Sequence, residues 1–317
     1  MKSKALFLLL LAVTCLASAS CSDGSKIENK HDGSGIALAS VESVKKTPAA
    51  DIDALFDARL DGPVLPPYQK PEQDICTDYA DTGLLRICYQ SDSDARLKLQ
   101  VIKDGNSIHY NLKGDGSIED FSLQFGNGDY TARIMQNIKD DEYFVVKSKS
   151  FTVTLLDENA VFLNSIQNVD WSYDDAPIRD VRHIVSESLI GLEDARLLRG
   201  CSTDLYLYII NNIEYDSLKV FNLMYDYLPD IEKTYLENTG ICYDYASLFA
   251  AMLRSINIPA KLVKGYAAEN PEVYHAWNEV YIDGEWIVID TTLDASLPRD
   301  KAVMKKQPSD YAKVNEY

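Results

Sequence analysis

Residues 76 to 162 consist of short stretches in which apolar and polar positions alternate. Alternation with a period of two is typical of a strand that buries one face. Turn residues such as Asp104-Gly105 separate the stretches. The pattern predicts a small all-β, sandwich-like domain over residues 76–165, with strands at 97–101, 108–112, 130–134 and 151–155.

The pattern changes after Asn168, where apolar residues recur three and four positions apart. This spacing predicts helices at 176–189, 192–212, 218–227 and 242–255. Two alternating stretches follow, at 275–282 and 285–290, and Asp283-Gly284 between them is the signal for a two-residue hairpin turn. Residues 166–317 are therefore predicted to form an α+β domain in which helices pack on an antiparallel sheet.

The first twenty residues have the pattern of a secretory signal peptide, because two lysines precede an apolar stretch that ends in small residues. Cys21 follows directly, and residues 21–75 have the composition of a flexible tether with a short helix near 52–59. The arrangement resembles a bacterial lipoprotein signal with Cys21 as the lipidated residue. Such signals usually have leucine where Ser18 stands, so plain cleavage near Ala19 or Ser20 is the alternative. Either route predicts export, and lipidation predicts a membrane anchor at the bacterial cell envelope.

Composition and charge limit the class of partner. The chain of 317 residues is 46% hydrophobic and carries a formal net charge of −18. The hydrophobic fraction is typical of a globular protein. The negative charge disfavours nucleic acid as a partner, because its phosphates would be repelled.

Cysteine spacing leaves the pairing open in an exported chain, where disulfides are permitted. Cys76 and Cys88 flank a short segment and are the candidate disulfide, which leaves Cys201 and Cys242 either free or paired with each other. The sequence has no C-x-x-C pair and only four widely separated histidines. Neither a zinc site nor an EF-hand calcium loop is predicted, and no cofactor is expected.

Cys242 is the residue with the most evident chemistry, because it stands at the start of an amphipathic helix. Free backbone N–H groups and the positive end of the helix dipole favour the thiolate, which is the nucleophilic form. A cysteine in this position is, by itself, more often a small buried apolar residue. The catalytic interpretation therefore depends on its partners.

The hairpin fixes which residues face one another. If the turn has two residues, Ile282 lies opposite Glu285, and counting back places His275 opposite Thr292. Asp290 then shares a face with His275 as its diagonal neighbour, about 7–8 Å away at the backbone. Their side chains can span that gap.

A carboxylate that holds one imidazole nitrogen leaves the other free to face a thiol, which is the logic of an activated cysteine nucleophile. Each residue also has a plainer interpretation. His275 can be a partly exposed residue at a strand start, and Asp290 can cap a turn with Thr291. The order of Cys242, His275 and Asp290 along these elements favours the catalytic interpretation.

Several sequence blocks, taken together, resemble the core of the bacterial transglutaminase-like superfamily over about residues 205–297. The blocks are 239–246 (TGICYDYA), 258–266 (IPAKLVKGY), 275–281 (HAWNEVY), 284–286 (GEW) and 289–292 (IDTT). The resemblance implies a papain-like fold with Cys242 as nucleophile, His275 as base and acid, and Asp290 as the orienting carboxylate. The chain departs from the pattern at Asn257 and Lys261, where glycine and arginine are common.

Further residues are candidates around this centre. Trp277 and Tyr243 are candidate substrate-binding residues, and Trp277 and Trp286, on the same face as His275, can line a substrate cleft or serve packing, which is favoured. Tyr206 or Tyr208 is a candidate for the aromatic oxyanion donor that some family members have upstream of the nucleophile. The backbone N–H of Cys242 is a second candidate donor.

The function implied by the resemblance is cysteine-dependent acyl transfer on protein or peptide amides, through a thioester on Cys242. The acceptor is an amine or water. Two alternatives stay open at this point: a papain-like cysteine peptidase or amidase with the same three residues, and a catalytically silent binding or scaffold protein with this fold.

Overall fold

A computed structural model describes residues 49–317 with the exception of Tyr225. The predicted signal peptide, the lipidation of Cys21 and the first part of the tether lie outside these residues. Within the described part of the chain, no helix combines the length and the apolar character that crossing a membrane requires.

The first part of the described chain is rich in strands. It contains α1 (Ala49–Arg59), β1 (Ile75–Cys76), β2 (Leu84–Ile87), β3 (Leu97–Lys103), β4 (Asn106–Leu112), β5 (Glu119–Ser122), β6 (Gly128–Lys139) and β7 (Glu142–Val153). One antiparallel sheet has the order β4-β3-β6-β7 and a smaller one the order β1-β2-β5. Alternation along β3 buries Leu97, Leu99 and Val101 on one face, as the period-two pattern predicts.

The second part places helices before and around another sheet. Its elements are α2 (Ala176–Ile184), α3 (Ser186–Gly191), α4 (Asp194–Asn212), β8 (Glu214–Tyr215), α5 (Ser217–Phe221), α6 (Ile231–Glu237), β9 (Thr239–Gly240), α7 (Cys242–Arg254), β10 (Ala260–Ala267), β11 (Tyr274–Ile282), β12 (Glu285–Ile289), α8 (Thr291–Ser296) and β13 (Tyr311–Glu316). Short 3-10 turns lie at Ala80–Thr82, Ala160–Leu163, Arg299–Lys301 and Pro308–Asp310. The sheet has the antiparallel order β12-β11-β10-β13, while β8 and β9 form a short parallel pair.

The predicted α+β class with a strand-rich part before it is confirmed. Both parts contribute side chains to one apolar core, which includes Leu99 of β3 and Leu248 of α7. The division into domains at residues 165 and 166 stays a prediction.

Two predicted helices differ from the structure. The helix predicted over 176–189 is two helices that meet at Val185. The helix predicted over 218–227 ends at Phe221. Leu218 and Phe221 are 75% and 80% exposed, so this segment has no buried apolar face to stabilise further turns.

Helix α7 is the centre of the second part, and its residues 243–254 are all buried. Its last residue, Arg254, donates hydrogen bonds to the carbonyls of Asn164, Ala260 and Tyr317. Near its start, the Asn278 side chain of β11 donates to the Ala246 carbonyl over 2.9 Å. Both ends of α7 are thus fixed against the sheet.

The hairpin between β11 and β12 has the predicted register at its turn. Asp283 and Gly284 have φ angles of 54° and 84°, as a type I′ turn requires, and Ile282 pairs with Glu285. The predicted pairing of His275 with Thr292 is wrong. Strand β12 ends at Ile289, because Asp290 caps α8 by accepting the Leu293 N–H over 3.0 Å.

The candidate disulfide between Cys76 and Cys88 is absent, and both residues are free cysteines. Cys76 pairs with Arg86 across β1 and β2, so Cys88 is its diagonal neighbour. Diagonal neighbours lie about 7–8 Å apart, which is wider than disulfide geometry allows. The Cys88 thiol instead donates to the Gly116 carbonyl over 3.2 Å. Cys201 and Cys242 are also free.

Candidate active site

Cys242 is the first residue of α7 and is partly exposed, whereas the residues after it in the helix are buried. The turn before it is held by Asp244, whose carboxylate accepts the Ile241 N–H over 2.8 Å. Gly240 allows this close approach, because a Cβ there would lie 2.7 Å from the Asp244 Cβ. The local sequence therefore directs the thiol outward at the positive end of the helix.

Asp244 also connects this turn to the segment before it. Its buried carboxylate accepts hydrogen bonds from Lys219 Nζ over 2.7 Å and from the Tyr227 hydroxyl. A buried charge needs such partners, since an unpaired one is costly. Asp244 thus positions the start of α7.

His275 and Asp290 meet as the hairpin count predicted. The imidazole Nε2 lies 2.8 Å from Asp290 Oδ2. The His275 side chain is 18% exposed and that of Asp290 only 1%. The strands β11 and β12 therefore bring a buried carboxylate to a histidine at the surface.

Asp290 has further partners that sequence reasoning did not identify. Its Oδ2 accepts the Tyr311 hydroxyl over 3.0 Å, and its Oδ1 accepts the Leu293 N–H. Asp290 is thus the cap of α8 and the hydrogen-bond partner of His275 at once, and its catalytic role stays a prediction. Tyr311 comes from β13, and no local pattern in the sequence links it to Asp290.

Cys242 is the other ionisable group that acts on the His275 imidazole. Asp290 occupies Nε2, so Nδ1 is the nitrogen left for the thiol. Burial lowers the pKa of His275, but the interactions of the ring with Asp290 and Cys242 outweigh burial and raise this pKa to about 10. The ring is therefore an imidazolium at neutral pH.

Trp277 is buried and does not line a cleft, so of its two predicted roles packing is the one that its position fits, and the substrate-binding role is not supported. The indole is 1% exposed, and its ring centroid lies 5.0 Å from that of Tyr311 and 6.2 Å from that of His275. Gly265 makes room for it, because a Cβ there would lie 2.8 Å from the indole and 2.1 Å from the Ala312 carbonyl oxygen. The Trp277 ring thus stacks against the His275 imidazole and restricts its position.

Tyr243, the other predicted substrate-binding residue, is 9% exposed. Its hydroxyl accepts a hydrogen bond from Asn168 Nδ2 over 2.7 Å. The Lys264 ammonium lies 3.4 Å from the centroid of its ring. Its burial leaves little surface for direct contact with a substrate.

The predicted aromatic oxyanion donors are engaged elsewhere. The Tyr206 hydroxyl donates to Asp294 Oδ2 over 2.8 Å, and the Tyr208 ring stacks on Tyr235 at 5.8 Å. Tyr215 is the tyrosine close to the nucleophile, since β8 pairs it with Gly240. Burial, and then the charge of Cys242, raise the pKa of Tyr215 to about 12, so its phenol keeps its proton. A two-residue strand has no periodic signal, which is why sequence reasoning did not identify Tyr215.

A cavity of about 710 Å³ is lined by residues that include Arg86, Asp120, Asp170 and Trp171. None of the three predicted catalytic residues lines it. Within residues 49–317, Tyr225 excepted, no group of three or more His, Cys, Asp or Glu side chains is placed to hold a metal ion.

Residues 197–291 match the sequence profile of the transglutaminase-like superfamily, and the match includes Cys242, His275 and Asp290. The chain carries a transglutaminase-like domain. Human kyphoscoliosis peptidase is 31% identical over 118 residues, which are 32% of this chain and 17% of the human protein. The mouse protein of that name is 30% identical over 104 residues, or 29% of this chain and 15% of its own length. The chain thus spans less than a fifth of these curated relatives.

Among solved structures, the red sea bream transglutaminase is similar to the chain at a TM-score of 0.30 and 10% identity. The similarity covers 66% of this chain and 48% of that one. LapG of Legionella pneumophila is similar at a TM-score of 0.27 and 14% identity, over 43% of this chain and 81% of that one.

The transglutaminase-like domain thus brings together a thiol from a helix start, an imidazole from a strand start and a carboxylate from a strand end. Each group sits where a regular element meets a turn, so the backbone holds it while its side chain stays directed toward the others. The arrangement has a thiol, an imidazole and a carboxylate, which are groups that cysteine-dependent chemistry uses.

Proposed function

We propose that the transglutaminase-like domain transfers an acyl group from a protein or peptide amide through a thioester on Cys242. The observation that carries this proposal is the His275 imidazole, which hydrogen bonds to Asp290 and whose pKa is raised by both Asp290 and Cys242. Asp290 is buried and orients the ring, so the imidazolium is held in place before substrate binds.

In the first half of the reaction, the Cys242 thiolate attacks the amide carbonyl and a C–S bond forms. The carbonyl oxygen becomes an oxyanion, for which the backbone N–H of Cys242 and the Tyr215 hydroxyl are the candidate donors. His275 then gives its proton to the departing nitrogen, and the C–N bond breaks. The products are a free amine and the thioester.

In the second half, an acceptor attacks the thioester and His275 takes the proton of that acceptor. The C–S bond breaks and the thiolate returns. An amine acceptor gives a new amide, whereas water gives a carboxylic acid. Hydrolysis is the second candidate, and the name of the human relative, a peptidase, supports it.

The proposal is tested first by thiol labelling. Iodoacetamide at about pH 7 should label Cys242 far faster than Cys201. Cys201 is fully buried, and burial, with a smaller contribution from Asp204, raises the pKa of its thiol to about 12. A His275→Gln variant should lose the fast labelling. Equal slow labelling of both cysteines in the wild type would favour the silent scaffold.

The acceptor is then identified with glutamine peptides in the presence and absence of an amine donor. Mass spectrometry distinguishes an amine adduct, a deamidated glutamine and a cleaved backbone. Cys242→Ala is the control and should give none of these products. Turnover by that variant would reject the thioester.

We also propose that the protein is exported and held at a membrane by a lipid on Cys21, as the sequence of residues 1–21 suggests. Changing Cys21 to serine should move the protein from the membrane fraction to the soluble fraction of an expressing bacterial cell. Unchanged fractionation would favour ordinary signal cleavage.

A further inference from the structure

Lys264 is a half-buried cation beside the nucleophile. It pairs with Ala276 across β10 and β11, and therefore points to the face of the sheet that α7 covers. Its ammonium lies 3.4 Å from the centroid of the Tyr243 ring and 5.2 Å from that of the Tyr317 ring. Tyr243 directly follows Cys242, so the ammonium is held close to the thiol.

Lys264 forms no ion pair with another residue in the described part of the chain. Lys261, on the other face of the same strand, lies 3.2 Å from Glu316 and 3.8 Å from Glu279. Lys313 of β13 lies within 2.8 Å of the same two carboxylates. None of the ion pairs between described residues includes Lys264, and Cys242 is the ionisable group whose negative form favours the charged lysine.

A partly buried cation without a counter-ion carries a desolvation cost. Here burial lowers the pKa of Lys264, although the Cys242 charge opposes it, and the pKa is about 8. A Cys242 thioester carries no negative charge, and none of the ion pairs between described residues supplies an anion to Lys264. A substrate that brings a negative charge to this place would restore the pairing.

We propose that Lys264, held on the Tyr243 ring, binds a carboxylate that the acyl donor carries close to the amide attacked by Cys242. This inference rests on the proposed function and specifies its substrate class. The carboxylate is either the α-carboxylate of a peptide end or an acidic side chain. Both offer the same chemistry to an ammonium group.

The test compares two alkylating reagents of nearly equal size, iodoacetate and iodoacetamide, which differ by one negative charge. In both reactions the Cys242 thiolate displaces iodide, so a C–S bond forms and a C–I bond breaks. The measured quantity is the ratio of the two rate constants at Cys242, obtained by mass spectrometry at about pH 7. Lys264 is protonated there, since its pKa is about 8.

In Lys264→Met the ratio of the iodoacetate rate to the iodoacetamide rate should fall on the order of fivefold. A change of this size is expected from the loss of one charge–charge contact in a mostly aqueous site. Lys264→Arg should keep the preference for iodoacetate. Lys261→Met is the matched control, because it removes one charge from the other face of the same strand, and it should leave the ratio unchanged.

The outcomes separate this inference from the proposed function. If Lys264→Met slows both reagents equally, or neither, the lysine does not bind the carboxylate and the inference is rejected. If Cys242 of the wild type reacts slowly with both reagents, the proposed function fails and the inference fails with it. A thermal melt of each variant verifies that it is folded.

A second measurement needs no variant. The ratio in the wild type should fall as the pH rises past about 8, where Lys264 loses its proton. The other titratable groups near Lys264 are Cys242, Tyr243, Tyr317, Tyr274 on the same face of β11, and His275 beside Cys242. Burial raises the pKa of Tyr274, and His275 loses its charge only near pH 10, above the range in which Lys264 does. Cys242 affects both reagents alike, and burial raises the pKa of Tyr243 and Tyr317, so they stay neutral. A ratio that is flat across this range would contradict the inference.

The source of the carboxylate is assigned with two isomers, N-acetylglutamine and N-acetylglutamate α-amide. The first carries a free α-carboxylate and the second a side-chain carboxylate. The isomer that protects Cys242 better from iodoacetamide identifies the source, and its protection should weaken in Lys264→Met. Equal protection in the wild type and in Lys264→Met would contradict the inference.

Discussion

The sheet β4-β3-β6-β7 and the sheet β12-β11-β10-β13 have the same strand number and the same antiparallel pairing, but they bury different side chains. The inward positions of the first are apolar, and Leu99, Val101 and Ile134 are fully buried there. The second buries Asn278 and, at the end of β12, Asp290. Buried polar groups stabilise a fold only when they are hydrogen bonded. The difference indicates that the first sheet mainly stabilises the fold, whereas the second also buries polar side chains, among them the carboxylate that holds His275.

The largest expected effect on chemistry is at Asp290. Asp290→Ala removes the acceptor of His275, so the reactivity of Cys242 should fall on the order of a thousandfold, as for the aspartate of a serine triad. Asp290→Asn keeps the shape and should be milder. Alkylation rates and thermal melts of both variants measure this. Full reactivity in a folded alanine variant would mean that Asp290 acts only as the cap of α8.

The largest expected effect on stability is in the other sheet. Leu99→Ala removes a fully buried side chain and should lower the free energy of unfolding by about 2–5 kcal/mol. The alkylation rate of Cys242 in the folded protein should stay the same, because Leu99 touches none of the reactive groups. Urea unfolding and labelling in the native range measure the two effects. A changed labelling rate would show that the two sheets are coupled.

The pH dependence of stability should distinguish the two sheets as well. The pKa of His275 is raised from 6.5 to about 10 in the folded protein. Its stabilising contribution is therefore complete below about pH 6.5 and is lost as the pH rises through about 10. Relative to His275→Gln, the free energy of unfolding of the wild type should fall by a few kcal/mol at most over this range, at about 1.4 kcal/mol per pKa unit. Urea titrations at several pH values measure this difference. If the free energies of the two proteins changed in parallel with pH, the raised pKa would be contradicted.

The smallest expected effect is at Tyr311. Tyr311→Phe removes one of the hydrogen bonds to Asp290 and keeps the ring against Trp277. A net loss of about 1 kcal/mol is expected, with a rate at Cys242 lowered by roughly tenfold at most. Tyr266→Phe, on the partly exposed β10, is a matched control that should change neither quantity. If Tyr311→Phe lowered the alkylation rate of Cys242 as much as Asp290→Ala does, the tyrosine would be needed to orient the Asp290 carboxylate.

Sequence reasoning was most successful where the chemistry is local. The Asp283-Gly284 turn fixes the register of β11 and β12, and period-two alternation then brings His275 to Asp290, as the structure has it. The position of Cys242 at a helix start was also predictable, because apolar residues follow it at helical spacing. The catalytic roles of the three residues stay a prediction.

Contacts between residues that are distant in sequence were not predictable. Tyr311 reaches Asp290 from 21 positions away, and Lys264 reaches Tyr243 across the packing of α7 on β10. Period-two alternation assigns a residue to a face but does not reveal which helix covers that face. For the same reason Trp277 was placed on the catalytic face correctly, while its burial against Tyr311 was not foreseen.

The hydrogen bonds of Arg254 have a consequence for the timing of folding. This side chain joins carbonyls at residues 164, 260 and 317, so the end of α7 has all these hydrogen bonds only when three distant segments have come together. The Tyr311 hydroxyl also reaches Asp290 from a different strand. Contacts this distant in sequence form slowly, because the ends of long loops must first meet. The surroundings of Cys242 and His275 are therefore completed late in folding.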